Sequence, residues 1–285
     1  MTTPLTRRRF NRCLFRWHAV ARRQLSIRSA ANPWEVLVAE VMSQQTGIER
    51  VGPIWQRFVE RWRAPSDLSA AGTQDLLAAW AGLGYNRRAL ALREAARIIV
   101  ADHHGRVPAT VASLEGLPGI GPYTARAVAA AGFGVPVAPL DVNVRRVVSR
   151  VIGVPASSPD LQHAADGLVA RREPGRWFDA VMDLASGTCL PRDPLCNDCA
   201  LASLCASRGS VAVTKAQTTA AHFPKTTRWL RGRLVAAVTE APPGEWVRLP
   251  DRLGDHDGDA IVLAAQHLDQ EGFLDLDGDL ARVRH

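Results

Sequence analysis

The chain has 285 residues, of which 47% are apolar, with a formal net charge of +7 and five cysteines. A chain of this length can bury the cores of two compact lobes, and no apolar run approaches the ~20 residues that a membrane-spanning helix needs. The basic start lacks the apolar stretch of a signal peptide, so we expect a cytoplasmic, nucleoid-associated protein and no membrane partner. Residues 1–30 carry eight arginines and no acidic residue, which favours a polyanion such as nucleic acid, although a solvated basic surface has the same composition.

Apolar residues at helical spacing dominate residues 10–205, and strand-like alternation is scarce there. The spacing predicts helices over 33–45, 73–83, 88–103 and 125–132. Glycine and proline pairs separate these helices. The sequence therefore predicts an all-α fold for this part of the chain.

The character of the chain changes after residue 206. Residues 207–227 are small and polar, as in a linker. Beyond them, two helical segments precede a hairpin with a predicted Asp-Gly turn at 277–278, which together indicate a small winged-helix-like module over 228–285. Residues 251–285 carry nine acidic residues and three arginines, a composition that argues against close contact between this module and phosphates.

The segment LPGIGP (117–122) is followed at once by a helical run. Glycines allow a tight turn and a close approach of the backbone to a ligand, and the amides that open the next helix favour a phosphate. The pattern is typical of a DNA-binding helix–hairpin–helix. A plain helix–helix turn is the alternative, but it needs only one glycine.

Two carboxylates stand out. Glu40 belongs to a largely apolar helix, where a partly buried carboxyl group should have a raised pKa and could serve as a general acid. Asp141 precedes a helix and could simply cap it. Taken alone, Glu40 could equally be a partly exposed member of a salt bridge.

Four of the five cysteines, Cys189, Cys196, Cys199 and Cys205, follow the spacing C-x6-C-x2-C-x5-C. Such thiolates bind zinc or an iron–sulfur cluster, and four buried free thiols would be unusual at this spacing. Zinc sites usually pair two short C-x2–4-C hooks, whereas only Cys196 and Cys199 form one here. The spacing therefore favours one 4Fe-4S cluster.

Together these segments resemble the iron–sulfur branch of the helix–hairpin–helix DNA glycosylases, and most closely the MutY-type adenine glycosylases. The matching motifs are AEVMSQQT (39–46), AGLGYNRRA (81–89), LPGIGPYTARAV (117–128), LDVNVRRV (140–147), MDLASGTC (182–189) and the cysteine spacing. The resemblance implies a two-lobed fold: a six-helix barrel over 30–138, and a cluster lobe built from 1–29 and 139–206.

The resemblance also implies roles for individual residues. Glu40 would protonate the departing base, Asp141 would stabilise the oxocarbenium-like sugar, and Tyr123 and Asn143 would support that pair. The residues expected to contact DNA or the extruded base, with Gln45, Thr46, Leu83 and Tyr85 around the opposing base and Asp183 facing the extruded one, are Arg28, Ser43, Gln44, Gln45, Thr46, Leu83, Tyr85, Arg88, Gly119, Gly121 and Asp183. The four clustered cysteines would ligate the cluster, and the protein would act as a monomer on double-stranded DNA containing a mismatch or lesion.

Lysine is absent from residues 1–214. Glycosylases that also cut the DNA backbone usually attack the sugar with a lysine amine, and in the related endonuclease III that lysine occupies the position of Tyr123. The composition therefore predicts a monofunctional enzyme without lysine-dependent lyase activity.

The chain departs from the family pattern near the base pocket: Ile27 replaces an expected tryptophan, and Ser43 replaces a leucine. The segment after residue 206 is also shorter than the Nudix-like domain with which many members recognise 8-oxoguanine. Three functions remain: excision of adenine opposite 8-oxoguanine or guanine, a thymine or uracil mismatch glycosylase on the same scaffold, and non-catalytic binding of damaged DNA. A zinc-dependent transcription regulator is less compatible with the motifs.

Overall fold

The computed structural model describes residues 4–210 and 222–284. Contacts divide the described chain into two units: residues 4–41 with 107–210, and residues 42–106 with 222–284. Residues 211–221, which fall in the predicted linker 207–227, lie outside the described residues. The four helices predicted in the first half of the chain are confirmed, with ends shifted by at most three residues.

The first unit is built from helices around one apolar core. Its helices are α1 (Pro4–Ala21), α2 (Pro33–Ser43, whose last residues belong to the second unit), α7 (Val111–Glu115), α8 (Pro122–Phe133), α9 (Val142–Ile152), α10 (Leu161–Leu168) and α11 (Pro174–Gly187). Phe10 and Leu14 of α1 lie one turn apart and meet Val144 and Val148 of α9 and Trp177 of α11. The spacing of four residues places each pair on one face of its helix.

The predicted hairpin between α7 and α8 is confirmed. Thr110 caps α7 by accepting a hydrogen bond from the backbone N–H of Ser113 at 3.1 Å. The turn passes through Gly119 in the left-handed region, with φ of 77°, where a side chain would be strained. Pro122 then opens α8, a position at which the missing N–H has no cost.

The second unit contains the remaining helices of the first half of the chain and the C-terminal module. Its helices are α3 (Ile48–Arg61), α4 (Pro65–Ser69), α5 (Thr73–Trp80), α6 (Arg87–Asp102), α12 (Thr227–Thr239) and α13 (Gly258–Gln270). Phe58 of α3 packs edge-on against Trp80 of α5, with ring centroids 5.9 Å apart. Within residues 4–210 and 222–284, no helix has the length and apolarity that a bilayer crossing requires.

The C-terminal module contains the two predicted helices and the predicted hairpin. Its strands are β1 (Val247–Arg248), β2 (Arg252–Leu253), β3 (His256–Asp257), β4 (Leu274–Asp277) and β5 (Leu280–Val283). One antiparallel sheet has the order β1-β5-β4, and β2 pairs with β3. Asp277 pairs with Leu280, so the two-residue loop is Gly278-Asp279, one residue later than the predicted Asp277-Gly278. A glycine with φ of 60° in the first loop position matches a type II′ turn.

The module shares its core with α5. Leu230, Leu234, Ile261 and Phe273 form one buried cluster, and Leu77 of α5 belongs to the same cluster. The module therefore packs against residues 42–106 through apolar side chains that are removed from water on both sides.

Candidate active site

Glu40 lies near the C-terminal end of α2, directly after the buried residues Val38 and Ala39. Its carboxyl group accepts a hydrogen bond from the Tyr123 hydroxyl group of α8. Burial, and then the charges of Asp179 and Asp141, raise the pKa of Glu40 to about 8, although the Tyr123 hydrogen bond lowers it. Glu40 is therefore protonated at neutral pH, which is the state that a general acid requires.

Tyr123 is held between the two catalytic candidates. Burial raises the pKa of its hydroxyl group above the ordinary value, and the charges of Glu40 and Asp141 act in the same direction. Its ring meets Phe178 at 64°, with centroids 6.3 Å apart. Tyr123 therefore stays a neutral hydrogen-bond donor.

Asp141 is both a helix cap and a neighbour of Glu40. Its Oδ1 accepts hydrogen bonds from the backbone N–H groups of Asn143 at 2.9 Å and Val144 at 2.7 Å. Its Oδ2 accepts from the side-chain amide of Asn143 at 2.7 Å. These three donors hold the carboxylate in one orientation, so capping and a catalytic role are compatible at this residue.

Arg146 fixes the orientation of Asn143. It donates to Asn143 Oδ1 at 3.0 Å, to the Ala185 carbonyl at 2.9 Å and to the Cys189 carbonyl at 2.8 Å. Because a guanidinium group has no acceptor, the amide oxygen of Asn143 must face Arg146, and its NH₂ group faces Asp141. The cysteine segment is thus connected to Asp141 through two side chains.

A cavity of about 500 Å³ opens beside Glu40, within the first unit. Its wall includes Ile27, Arg28, Phe178 and Asp179. The volume lies in the range of small-molecule sites. Apolar side chains such as Ile27 and Phe178 next to a protonated carboxyl group suit a planar base that must receive a proton.

Asp179 is the second carboxylate of this cavity. Burial raises its pKa above the ordinary value, although Arg28 opposes the rise with an ion pair of 3.0 Å. Because the negative charge of Asp179 raises the pKa of Glu40, the residue tunes the candidate general acid.

Asp183 lies one helical turn beyond Asp179 on α11 and has a different environment. Only 3% of the residue is exposed. Its carboxylate accepts hydrogen bonds from Arg23 at 2.9 Å and Arg28 at 2.9 Å, and it lies 3.1 Å from the His18 ring nitrogen. Burial opposes ionisation of Asp183, but the hydrogen bonds and charge of the two arginines outweigh it and lower the pKa of Asp183. Asp179, not Asp183, belongs to the cavity wall. Its predicted contact with the extruded base stays a prediction.

The two hairpin glycines lie where the sequence places them. Gly119 and Gly121 are exposed, and Gly121 is the last residue before α8. The first-turn amides of α8 follow directly, as the phosphate-binding prediction requires.

The other predicted DNA-binding residues belong to the second unit. They lie on two turns, residues 43–46 and 83–88, which Arg88 connects. Arg88 donates to the carbonyl groups of Met42 and Gln44 at the first turn, and to those of Leu83 and Gly84 in the second. It also donates to the Thr46 hydroxyl group at 3.0 Å. Burial lowers the pKa of Arg88 to about 10, so the group stays charged at neutral pH.

Two residues on these turns adopt unusual backbone conformations. Gln45 has a φ of 53° and Tyr85 a φ of 49°, values that side chains other than glycine rarely adopt and that often mark functional sites. Ser43 and Gln44 are partly buried at the end of α2. Leu83, predicted to enter the duplex, is 3% exposed.

The four clustered cysteines line one small cavity, together with Arg150. Arg150 donates to Cys189 Sγ at 3.4 Å and to the Leu190 carbonyl at 2.6 Å. Within the described residues, no set of three His, Cys, Asp or Glu side chains is arranged to hold a single metal ion. Four sulfur donors beside a cation match the requirements of an anionic thiolate-bound cluster.

The sequence did not reveal three residues of the first unit that contact the site: Asp179, Arg146 and His18. Asp179 and Arg146 each lie one helical turn from a predicted residue, whereas 165 positions along the chain separate His18 from Asp183. Asp179 precedes Asp183 by four residues and Arg146 follows Asn143 by three, a spacing that places each pair on one helix face. That periodicity was the signal available.

The chain is similar to known DNA repair proteins. Residues 38–168 match the HhH-GPD superfamily of base excision DNA repair proteins. The adenine DNA glycosylase of Mycolicibacterium smegmatis is 40% identical over 235 residues, which cover 80% of each chain. The human adenine DNA glycosylase is 35% identical, over 71% of this chain and 40% of its own length.

Solved structures show the same fold. A thermostable thymine-DNA glycosylase matches 70% of this chain and 95% of its own, with a TM-score of 0.65 and 28% identity. A trapped covalent intermediate of endonuclease III with DNA matches with a TM-score of 0.60 and 25% identity. The predicted all-α helix–hairpin–helix glycosylase fold is therefore confirmed.

The fold and the site define a DNA glycosylase of the HhH-GPD superfamily. Within it, the chain belongs to the adenine DNA glycosylase family, as the resemblance implied.

Proposed function

We propose that the protein removes adenine mispaired with 8-oxoguanine or guanine by hydrolysing its N-glycosidic bond. The observation that carries the proposal is the Glu40 carboxyl group, which is protonated at neutral pH, bonded to Tyr123 and exposed to a cavity large enough for a base. The curated relatives at 35–40% identity are named adenine DNA glycosylases.

The arrangement divides the chemistry between two carboxyl groups. Glu40 would give its proton to the departing base after the nucleotide is extruded from the duplex. The resulting carboxylate would help to place the water that adds to C1′ of the sugar, and would accept the proton that this water loses. The Asp141 carboxylate, oriented by Asn143, would stabilise the positive charge that develops on the sugar. Two carboxyl groups with different environments perform the same two tasks in glycoside hydrolysis.

The product is proposed to be an intact strand with an abasic site. A lyase step through a Schiff base needs an amine, and residues 1–214 contain no lysine. Tyr123, at the position of the lysine in the related endonuclease III, is a neutral donor to Glu40 instead. Strand breaks that appear before any alkali treatment would contradict this part of the proposal.

We further propose that the four cysteines at 189, 196, 199 and 205 hold one 4Fe-4S cluster, which would stabilise its segment of the protein. Purified protein should be yellow-brown, with broad absorbance near ~400 nm and bound iron and sulfide. Cys199→Ser should remove most of that absorbance. Cys13→Ser is the matched control, because Cys13 lies in α1 and outside the cysteine cavity. Bound zinc without iron would contradict the assignment.

The partner is proposed to be double-stranded DNA with a mismatch or lesion, bound by a monomer. The exposed hairpin glycines and the turns at 43–46 and 83–88 support this proposal. We also propose that residues 30–138 form the six-helix barrel and that residues 139–206, together with 1–29, form the cluster lobe.

Thymine or uracil excision is the second candidate. Ile27 lines the cavity where the family has an aromatic residue, and one similar structure is that of a thymine-DNA glycosylase. Duplexes with A:8-oxoguanine, A:G, T:G and U:G pairs, treated with alkali after incubation, separate the candidates. Cleavage of the T:G and U:G strands alone would overturn the adenine assignment, and binding without any excision would favour a non-catalytic DNA-binding protein.

A further inference from the structure

A groove of about 1010 Å³ lies within the unit formed by residues 42–106 and 222–284. One part of its wall carries Gln45 and Tyr85, which the family resemblance places around the base opposite the extruded nucleotide. The other part belongs to the C-terminal module, through α12 and Phe223 just before it. The module therefore faces the same space as the residues expected to contact the opposing strand.

The groove is strongly basic. Six arginines line it: Arg50, Arg87, Arg88, Arg228, Arg231 and Arg233. Among the residues of the wall that the structure describes, Glu240 is the single acidic one. Arg88 and Arg231 already bind carbonyl groups and Glu271, respectively, whereas Arg228 and Arg233 are exposed on α12. The exposed arginines favour an anionic ligand at this surface.

Arg228 is held in place by aromatic rings. Its guanidinium carbon lies 4.6 Å from the centre of the Tyr85 ring and 5.0 Å from that of Phe223, and it donates a hydrogen bond to the Tyr85 hydroxyl group. Stacking restricts the guanidinium group before any ligand arrives, so less side-chain entropy is lost on binding. Half of Phe223 is exposed, which leaves a ring surface on which a base can stack.

The acidic residues of the module do not prevent an anionic ligand from binding in the groove, although the composition of the module argues against contact with phosphates. Within residues 251–284, the residues that line the groove are Leu268 and Phe273, and both are apolar. Several of the acidic residues are paired inside the module: Asp275 with Arg282 and Arg284, Glu271 with Arg231, and Asp279 with Arg248. The count of charges along the sequence therefore does not describe the charge at the groove.

We propose that α12 and Phe223 of the C-terminal module bind the DNA strand opposite the extruded nucleotide, with Arg228 and Arg233 contacting its phosphates. The proposal rests on the proposed function in one respect: the resemblance, and not the groove itself, assigns Gln45 and Tyr85 to the opposing strand. The module thus becomes part of the DNA-binding surface.

The first test measures binding to a duplex with a non-hydrolysable 2′-fluoro-adenosine opposite 8-oxoguanine, using the full-length protein. For Arg228→Ala/Arg233→Ala, the slope of log K against log salt should become less steep by about 2, because each lost phosphate contact removes about 0.9. The matched control is Arg248→Ala/Arg252→Ala, which removes the same charge from exposed module positions outside the groove. Equal slopes for the two double variants would overturn the proposal.

A second measurement covers the case in which the double variant is poorly folded. Arg233 lies outside the ring stack, so Arg233→Ala alone should keep the melting temperature of the wild type and reduce the slope by about 1. A wild-type slope in a folded Arg233→Ala variant would also contradict the proposal.

The strand is assigned with methylphosphonate linkages, which remove phosphate charge from one strand at a time. Neutral linkages beside 8-oxoguanine should abolish the difference between wild type and Arg228→Ala, whereas the same linkages in the adenine strand should leave it unchanged. The reverse pattern would show that α12 binds the adenine strand, and would contradict the proposal.

Excision assays separate the two proposals. If wild type excises adenine and the groove variants bind normally, the groove inference fails and the proposed function stands. If wild type excises no base but the variants lose salt-dependent binding to opposing-strand phosphates, the proposed function fails and the groove inference stands.

Discussion

The cavity beside Glu40 and the groove lined by α12 have opposite effects on their ionisable groups: the cavity keeps Glu40 neutral, whereas the groove keeps its arginines charged. In the cavity, burial and two neighbouring carboxylates keep Glu40 protonated. In the groove, Arg228 and Arg233 stay exposed, and aromatic rings rather than carboxylates support Arg228. A carboxyl group that must release a proton at neutral pH needs surroundings that destabilise its charged form. A guanidinium group that must bind phosphate needs to stay charged.

The largest expected effect is that of Glu40→Gln in the cavity. A neutral amide resembles the protonated carboxyl group in shape and charge, so DNA affinity should stay within about twofold while single-turnover excision falls by about 10²–10⁴. Glu49→Gln, an exposed residue of α3, is the matched control and should excise normally. Normal excision by Glu40→Gln would remove the general acid from the mechanism.

Asp141→Asn tests whether the carboxylate does more than cap α9. Asparagine caps helices about as well as aspartate, but its NH₂ group cannot accept the bond from the Asn143 amide. The melting temperature should therefore fall slightly, while excision falls by about 10²–10³, the loss typical of a missing electrostatic contact. Asp257→Asn makes the same exchange at the cap of α13 and should leave excision unchanged. If both variants behave alike, Asp141 is only a cap.

The pH dependence reports the protonation of Glu40. Because its pKa is raised to about 8, the single-turnover rate should fall about tenfold per unit of pH above that value. The folded state also binds more protons than the unfolded state between pH 4.5 and 8, so the free energy of unfolding should decrease as pH rises through this window. Glu40→Gln should remove that part of the decrease, and an identical stability profile would contradict the raised pKa.

Arg146→Lys should have a smaller effect, since it acts through Asn143. Lysine keeps the charge but cannot donate to three separate acceptors as the guanidinium group does. We expect about a tenfold slower single-turnover rate, equivalent to about 1.4 kcal/mol, with unchanged DNA affinity. Arg145→Lys, at the neighbouring position, should match wild type. A loss of affinity instead of rate would show that Arg146 does not position the catalytic pair.

The smallest effect is expected from Asp179→Asn. Removing this negative charge lowers the pKa of Glu40, so the alkaline fall in the excision rate should move to lower pH while the rate at pH 6 changes little. Asp193→Asn, an exposed residue in the cysteine segment, should leave the profile in place. A shift to higher pH for Asp179→Asn would contradict the sign of the interaction.

Features that depend on neighbours along the chain were predictable from the sequence. The apolar run around Glu40 implied its burial, and the position of Asp141 before a helix implied its capping bonds. The Leu-Pro-Gly-Ile-Gly turn likewise implied the hairpin, because left-handed backbone at Gly119 requires glycine.

Features set by distant contacts were not predictable. Asp179 and Asp183 are one helical turn apart, and their different environments follow from Arg23 and Arg28, which are about 150 to 160 residues away. The acidic count of the module likewise does not describe how its charge is distributed, since pairing with Arg231, Arg248, Arg282 and Arg284 is decided by folding. The hairpin register differed by one residue because the Asp-Gly-Asp segment allows either loop.

Arg88 connects its two turns by donating hydrogen bonds to oxygen atoms of both. A secreted protein could fasten the same turns with a disulfide, but that bond would open in a reducing environment. The hydrogen bonds of the Arg88 guanidinium group do not depend on redox conditions, and lysine, with three donors, could not form all of them. Natural variation at residue 88 should therefore be tolerated less well than at the exposed arginine beside it, Arg87.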